Sequence, residues 1–383
     1  MSGIDELRAE LASAAPRRHP EILERFWTGP GARTPLVEAI PGAPAERRMT
    51  FLWRDAEADA VLIAINRITH DVPSGRLERL AGTDVWHRSY RLGADWRGSY
   101  TVLAADAARF AAIERMEPRW AMRTIRESGC ADPRNPRRIG VHGGIASVAE
   151  LPDAAPLPWP DSDPAVRGTT TEHRLDGGRR VWLHRPFGDD AVTARPLVIV
   201  LDGEVWHRTG DAATAVDALA EAGTIRAPRL LLVDAEGSPR RMRDLSVDGG
   251  MSEEIVEVLL PWARSVLPVS ADPADVIVSG ESLGGLTALK TAFDHPDAVG
   301  AALAQSSSLW QHDMLERAAA SAPVRLYLTA GRHEERLIAA NRTLAGALRT
   351  LPHDHVYVEF NGGHDMAWWR GLWAEGLLHL LGR

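Results

Sequence analysis

The 383-residue chain contains a single cysteine, Cys130, so it cannot form an intrachain disulfide. A chain without disulfides suits a reducing compartment, and we expect a cytoplasmic protein. No apolar run approaches the roughly 20 residues that a membrane-spanning helix requires. The N-terminal stretch is acidic, whereas a secretory signal starts with basic residues and continues with apolar ones. We therefore expect no membrane partner.

Positive charge is also scarce. The chain has 44 basic against 52 acidic residues, a formal net charge of -8, and Lys290 is its one lysine. Neutralising phosphates requires clustered positive charge, so we expect no nucleic-acid partner. The composition, 45% hydrophobic and 25% charged, is that of a globular protein, and the length is enough for about two domains.

The first half of the chain has the pattern of a β-domain. Short apolar runs at 49–54, 60–66 and 98–103 are separated by turn-forming residues, and helical patterns flank them near 5–28 and 106–116. We predict a β-rich, immunoglobulin-like sandwich over residues 1–150. The prolines of residues 151–173 then predict a linker.

The second half alternates strands and helices. Continuous apolar runs predict buried parallel strands at 196–201, 230–233, 276–278, 301–304, 325–328 and 356–358. Helical patterns lie between them at 211–222, 252–266, 284–294, 335–350 and 366–381. This order predicts an α/β domain over residues 174–383, with a mostly parallel sheet and helices on both faces.

The most specific motif is Gly280-Glu281-Ser282-Leu283-Gly284, a G-x-S-x-G turn between a predicted strand and a predicted helix. That context is typical of the nucleophile elbow of α/β-hydrolases, which presents a serine hydroxyl at the carboxyl end of the sheet. We predict that Ser282 is a nucleophile. The Leu283 amide, at the start of the following helix, is predicted to help bind an oxyanion.

The elbow predicts an acid and then a histidine after later strands. His364 follows the last predicted strand and is the predicted general base. Glu334 follows the strand before it and is the preferred acid, with Glu335 as the alternative. No metal-binding motif such as H-x-x-E-H is present, so no metal site is predicted.

Two further loops follow predicted strands. An amide at Gly203, Glu204 or Val205 is a candidate second oxyanion donor, although Asp202-Gly203 is also compatible with an ordinary β-turn. The basic stretch 240–243, which includes Arg241 and Arg243, is either a solvated surface or a contact for an anionic substrate.

With these motifs the chain resembles the enterochelin (catecholate siderophore) esterases. The matching stretches of the second half are 201–206, 241–245, 280–286, 304–310 and 362–365. Those of the first half, which general α/β esterases lack, are 34–38, 49–54, 82–86, 95–100 and 131–136. The resemblance extends over residues 26–380. The sequence departs from the family pattern at Glu281 and at 305–310, which leaves the particular siderophore open.

The resemblance implies a cytoplasmic serine esterase that hydrolyses the trilactone of a ferric, enterobactin-type siderophore and so releases iron. Ser282 would attack, His364 would serve as base and acid, Glu334 would complete the triad, and no cofactor is implied because iron arrives with the substrate. Arg241 matches a family arginine of the substrate pocket, and a ferric tris-catecholate, with three negative charges, suits an arginine patch that includes Arg243. Trp206 and Trp310 either pack on catechol rings or belong to the core.

Two other functions fit the same pattern. One is a general carboxylesterase or acyltransferase on the same fold. The other is a siderophore-binding protein without catalytic activity, against which the complete order of Ser282, Glu334 and His364 argues.

Overall fold

The computed structural model describes residues 3–141, 144–156, 158 and 165–382. Residues 157 and 159–164 of the predicted linker lie outside the described residues. The chain packs as two compact units. The first comprises Met1–Ala155 with Asn361–Ala367, and the second comprises Pro156–Phe360 with Trp368–Arg383.

The first unit is built on two four-stranded antiparallel sheets, with strand orders β1-β2-β5-β4 and β3-β6-β8-β7. The strands are β1 (Leu36–Ala39), β2 (Glu46–Arg54), β3 (Ala60–Ile65), β4 (Glu78–Arg79), β5 (Val85–Gly93), β6 (Arg97–Ala105), β7 (Arg138–Val141) and β8 (Gly144–Glu150). Phe51 and Trp86 of one sheet share a buried core with Ile63 and Tyr100 of the other. The predicted β-sandwich is therefore confirmed.

Helices pack against both sheets of this sandwich. They are α1 (Gly3–Ser13), α2 (His19–Thr28), α3 (Val72–Gly75), α4 (Ala107–Glu114) and α5 (Pro118–Ser128). Leu7 of α1 and Phe26 of α2 are buried against Leu52 and Val85 of the first sheet. This apolar packing accounts for the helical pattern near residues 5–28.

The second unit is built on an eight-stranded sheet with the order β16-β15-β14-β13-β11-β12-β10-β9. The strands are β9 (Thr169–Arg174), β10 (Arg180–Arg185), β11 (Leu197–Val200), β12 (Arg229–Val233), β13 (Val276–Glu281), β14 (Ala301–Gln305), β15 (Arg325–Gly331) and β16 (Asp354–Phe360). Strands β11 to β16 are parallel, as predicted, and β10 pairs antiparallel with both β12 and β9. Strands β9 and β10 were not predicted. The residues of β9, Thr-Thr-Thr-Glu-His-Arg, are polar and mostly exposed, so they lack an apolar run. The apolar run of β10 is only Val-Trp-Leu, between arginines and a histidine.

The helices of this unit alternate with its parallel strands. They are α6 (Gly203–Val205), α7 (Ala212–Glu221), α8 (Ser238–Asp244), α9 (Met251–Glu254), α10 (Leu260–Val266), α11 (Leu283–Asp294), α12 (Leu315–Ala320), α13 (Glu335–Leu348) and α14 (Met366–Leu381). Ala304 of β14 shares a core with Leu286 of α11, whereas its neighbour Leu303 lies against Gly376 of α14. Successive residues of a strand face opposite sides, so helices cover both faces of the sheet.

The structure departs from the predicted domain boundaries in two segments. The predicted linker, 151–173, contains most of β9 (Thr169–Arg174). Residues 174–383 were predicted to form a single domain, but Asn361–Ala367 belongs to the first unit. Its backbone is hydrogen-bonded there, since the Arg97 amide donates to the Asn361 carbonyl over 3.1 Å. Within the described residues, none of the helices is long and apolar enough to cross a bilayer.

A fully buried ion pair secures the start of β12. Arg229 Nε and Nη2 donate to the two carboxylate oxygens of Asp189 over 2.8 and 2.7 Å. Burial raises the pKa of Asp189, but the hydrogen bonds from Arg229 outweigh this effect and hold the pKa well below its usual range. The pair joins β12 to the loop that precedes β11, and so supports β11, the strand that lies between β12 and β13.

Replacing Arg229 with methionine should lower the free energy of unfolding by about 1.5–3 kcal/mol, because the buried Asp189 carboxylate loses two charge-assisted hydrogen bonds while Arg185 and Arg195 still pair with it. Denaturant unfolding followed by tryptophan fluorescence measures this change. The control is Arg226→Met, which removes a 2.7 Å pair with Asp275 at an arginine whose side chain is 45% exposed. This control should lose at most about 1 kcal/mol. Equal losses for the two variants would contradict the prediction.

Candidate active site

Ser282 occupies the turn between β13 and α11. Its backbone angles, φ 60° and ψ -114°, are strained for a residue with a side chain. The Ser282 amide donates to the Gln305 carbonyl, and the Ser308 amide donates to the Ser282 carbonyl, each over 2.9 Å. Both partners come from the end of β14 or the loop that follows it, so the neighbouring strand secures the strained turn.

The two glycines of the motif allow the strand and helix to approach closely. A Cβ atom on Gly280 would lie 2.5 Å from the carbonyl carbon of Gly284, so a side chain there would force β13 and α11 apart. A Cβ atom on Gly284 would lie 3.4 Å from Leu201 Cβ. The elbow therefore lies directly beside the loop that follows β11.

The loop after β14 supplies a contact with Ser282 that was not predicted from the sequence. Ser308 Oγ lies 3.2 Å from Ser282 Oγ, within hydrogen-bonding distance. The Asn341 side chain donates to the Ser307 carbonyl over 3.0 Å, which ties this loop to α13. The available sequence signal was the Ser306-Ser307-Ser308 run directly after a buried strand.

The candidate oxyanion donors lie at the ends of two adjacent strands. Leu283 is the first residue of α11, where backbone N–H groups have no acceptor within the helix. Gly203 and Glu204 follow β11, and a side chain on Gly203 would collide with the backbone of Val233 in β12. The Val205 amide donates to the Asp202 carbonyl over 2.9 Å, which closes a turn. Of the three amides in this loop, those of Gly203 and Glu204 therefore fit the donor role better.

Burial separates the two candidate acids. Glu334 lies between β15 and α13 and is 1% exposed, and its Oε2 accepts the Gly331 amide hydrogen over 3.0 Å. Glu335 is exposed at the first position of α13. A carboxylate that orients a histidine is best kept from water, so the surroundings of Glu334 suit this role better.

His364 lies four residues beyond the end of β16, within the Asn361–Ala367 segment of the first unit. Its carbonyl accepts a hydrogen bond from Asn66 Nδ2 over 2.7 Å. The candidate nucleophile, oxyanion donors and acid all belong to the second unit. No sequence pattern indicated that the predicted base packs with the first unit.

The predicted substrate arginines carry compensated charges. Arg241, on α8, donates to both carboxylate oxygens of Asp202 over 2.5 and 2.6 Å. Burial lowers the pKa of Arg241, but the charge and hydrogen bonds of Asp202 more than offset this effect and raise it. Arg243 lies 3.0 Å from Asp244 and its side chain is 70% exposed. Arg243 is therefore the more accessible cation of the two.

The two predicted aromatic contacts have different surroundings. Trp206 is fully buried at 0% exposure, donates from Nε1 to Glu281 over 3.1 Å, and packs against Trp373. Of the two alternatives for Trp206, the structure therefore favours the core position over contact with a substrate, because an enclosed ring offers no face to a ligand. Trp310 is 61% exposed and is compatible with the predicted role.

Glu281, directly before the nucleophile, is buried. Burial and the nearby negative charge of Asp202 raise the pKa of Glu281 to about 8, although the hydrogen bond from Trp206 acts in the opposite direction. The carboxyl group is therefore mainly neutral at pH 7. Among the residues that the structure describes, no three His, Cys, Asp or Glu side chains are grouped so that they could hold a metal ion.

The raised pKa of Glu281 predicts a pH dependence of stability. Between about pH 4.5 and about pH 8 the folded protein binds a proton that the unfolded chain has released, so the free energy of unfolding should fall as pH rises. Glu281→Gln removes this contribution and should flatten the fall. Thermal unfolding of both proteins at several pH values across this interval measures the effect, and parallel curves would contradict the prediction.

Two family models match the chain. The model described as "Enterochelin esterase, N-terminal" matches residues 48–160, and the one described as "Putative esterase" matches residues 173–380. The first model covers mainly the sandwich unit, and the second covers most of the eight-stranded sheet unit together with the Asn361–Ala367 segment of the first unit.

Curated relatives match over nearly their whole length. The iron(III) enterobactin esterase of Dickeya dadantii is 33% identical, with 94% of each chain covered. The iron(III) salmochelin esterase of Escherichia coli O6:H1 is 29% identical, with 98% of this chain and 97% of the relative covered.

Among solved structures, the enterobactin esterase of Shigella flexneri, crystallised in the presence of enterobactin, superimposes with a TM-score of 0.79 at 28% identity. The match covers 93% of this chain and 97% of that one. Together with the two family models, these similarities show that the chain belongs to the enterochelin esterase family of ester hydrolases.

Proposed function

We propose that this chain is a serine esterase that hydrolyses the trilactone ester bonds of a ferric catecholate siderophore of the enterobactin type, releasing iron in the cytoplasm. The observation that carries the serine mechanism is the strained backbone of Ser282 at the junction of β13 and α11. The siderophore substrate is supported by the enterobactin and salmochelin esterases to which the whole chain is similar.

In the first half of the reaction, Ser282 Oγ attacks a lactone carbonyl carbon while His364 accepts the hydroxyl proton. The carbonyl oxygen becomes an oxyanion that the Leu283 amide, together with the Gly203 or Glu204 amide, stabilises. Collapse of this intermediate breaks the ester C–O bond. The leaving serine oxygen of the trilactone takes the proton back from His364, and an acyl-enzyme forms on Ser282.

In the second half, His364 accepts a proton from a water molecule that attacks the acyl carbon. The same amides hold the second oxyanion, and Ser282 leaves with the proton from His364. The product is a free carboxylic acid. Glu334 stabilises the charged imidazole and fixes its tautomer, a role that its burial supports.

The substrate carries three negative charges, and Arg243 is the exposed cation proposed to meet them. The proposed role of Arg241 in substrate binding is mainly indirect, because Arg241 holds Asp202, and with it the Gly203 loop, in place. The exposed ring of Trp310 is proposed to pack on a catechol group.

Ser282→Ala should lower hydrolysis of the ferric trilactone by about 10⁴-fold or more while leaving binding largely intact. Chromatography with mass detection follows the products, and quenching of tryptophan fluorescence follows binding. The control is Ser265→Ala, which removes an exposed hydroxyl whose bond is to the Trp262 carbonyl. Its activity should equal that of the wild-type protein.

Wild-type turnover by the Ser282→Ala protein would overturn the serine mechanism. Faster turnover of a short nitrophenyl ester than of ferric trilactone by the wild-type protein would instead indicate a general carboxylesterase. Binding of the siderophore without cleavage of any ester would indicate a siderophore-binding protein.

Glu334→Gln should lower kcat roughly 10³- to 10⁴-fold, because an amide neither stabilises the charged imidazole nor fixes its tautomer. Glu335→Gln is the matched control, since it makes the same change at the adjacent, exposed position. This control should keep kcat within about twofold of the wild-type value. Steady-state kinetics on the ferric trilactone measures both, and loss of activity in the Glu335 variant alone would assign the acid to Glu335.

A further inference from the structure

The Asn361–Ala367 segment, which carries His364, is hydrogen-bonded to the sandwich on both sides of the histidine. Before it, the Arg97 amide donates to the Asn361 carbonyl over 3.1 Å, and the Asn361 side chain donates to Asp95. After it, the Ser99 amide donates to Asp365 Oδ2 over 2.5 Å. Arg97 and Ser99 both belong to β6, so one strand of the first unit holds the two ends of the segment.

Asn66 contacts the histidine residue itself. It directly follows β3, and its amide donates to the Ser99 carbonyl over 3.0 Å, which fixes its backbone against β6. Its side-chain Nδ2 donates to the His364 carbonyl over 2.7 Å. A side chain on Gly363 would collide with Asn66 and with Arg67, so the segment lies directly against this corner of the sandwich.

Asp365 joins the segment to the helix that follows. It is buried, with Oδ2 on the Ser99 amide and Oδ1 accepting the Ala367 amide hydrogen over 2.9 Å. Burial raises the pKa of Asp365, and the hydrogen bonds from these amides oppose that rise. The carboxylate therefore joins β6 to Ala367, the last residue of the segment.

We propose that Asn66 and the Ser99 amide position the catalytic base, because they hold the backbone of His364 and the side chain of the residue directly after it. This inference rests on the proposed function, in which His364 accepts the Ser282 proton. Two glycines, Gly362 and Gly363, precede the histidine, and glycine is the residue with the most backbone freedom. The bonds to the sandwich restrict that freedom, so that the imidazole keeps one orientation during the reaction.

Asn66→Ala should lower kcat about 10- to 100-fold and leave KM within about twofold, because a misplaced base slows the chemical step without altering the substrate contacts. Asn66→Asp keeps the size of the side chain but replaces the donor with an oxygen, and it should lower kcat at least as much. Steady-state kinetics on the ferric trilactone, with the full chain, measures both variants.

The matched control is Asn135→Ala. Asn135 is also a buried asparagine of the first unit, and its Nδ2 donates to Tyr100 Oη and the Val148 carbonyl over 3.0 and 2.9 Å, both within the sandwich. Thermal unfolding should show that this variant loses stability, while its kcat stays at the wild-type value. A purely structural role for Asn66 would make the two asparagines equivalent.

The outcomes separate this inference from the proposed function. An unchanged kcat in Asn66→Asp, an equal fall in Asn135→Ala, or a rise in KM in place of the fall in kcat would overturn the positioning role. His364→Ala is measured beside them. If it loses activity while the Asn66 variants do not, only the positioning role fails; if it keeps activity, the assignment of the base fails and the inference with it.

Discussion

The site depends on the strained backbone of one residue, Ser282. A φ of 60° at a serine is unfavourable in isolation, so the surrounding structure must stabilise it. The buried strand β13 and helix α11 bracket the turn, Gly280 leaves room for the helix to approach, and backbone hydrogen bonds with the β14 loop secure both sides of Ser282. These constraints place the hydroxyl at the carboxyl end of the sheet, where the ends of neighbouring parallel strands lie together.

Charge is balanced tightly around this turn. Asp202, at the end of β11, holds Arg241 through two hydrogen bonds, and its negative charge helps to keep Glu281 protonated. A triply negative substrate of the proposed kind would be repelled by carboxylates near the reacting group. Protonation of Glu281 and the ion pair between Asp202 and Arg241 both reduce this repulsion, so these buried groups contribute to the electrostatics of the site.

The segment that carries His364 packs with the N-terminal sandwich, which its position in the chain does not suggest. The proposed base is carried by a segment that packs as part of this unit, although it follows the last strand of the other. The hydrogen bonds of this segment within the first unit include those with β6 and with Asn66.

The sequence alone determined the α/β order, the six parallel strands and the elbow, because each depends on apolar periodicity or on a motif a few residues long. Only the tertiary structure decided that Trp206 is enclosed, that Asp202 compensates Arg241, and that the His364 segment belongs to the first unit. The physical reason is distance along the chain. Asn66 and His364 are 298 residues apart, and Ser99 and Asp365 are 266 apart, so no local pattern encodes either hydrogen bond.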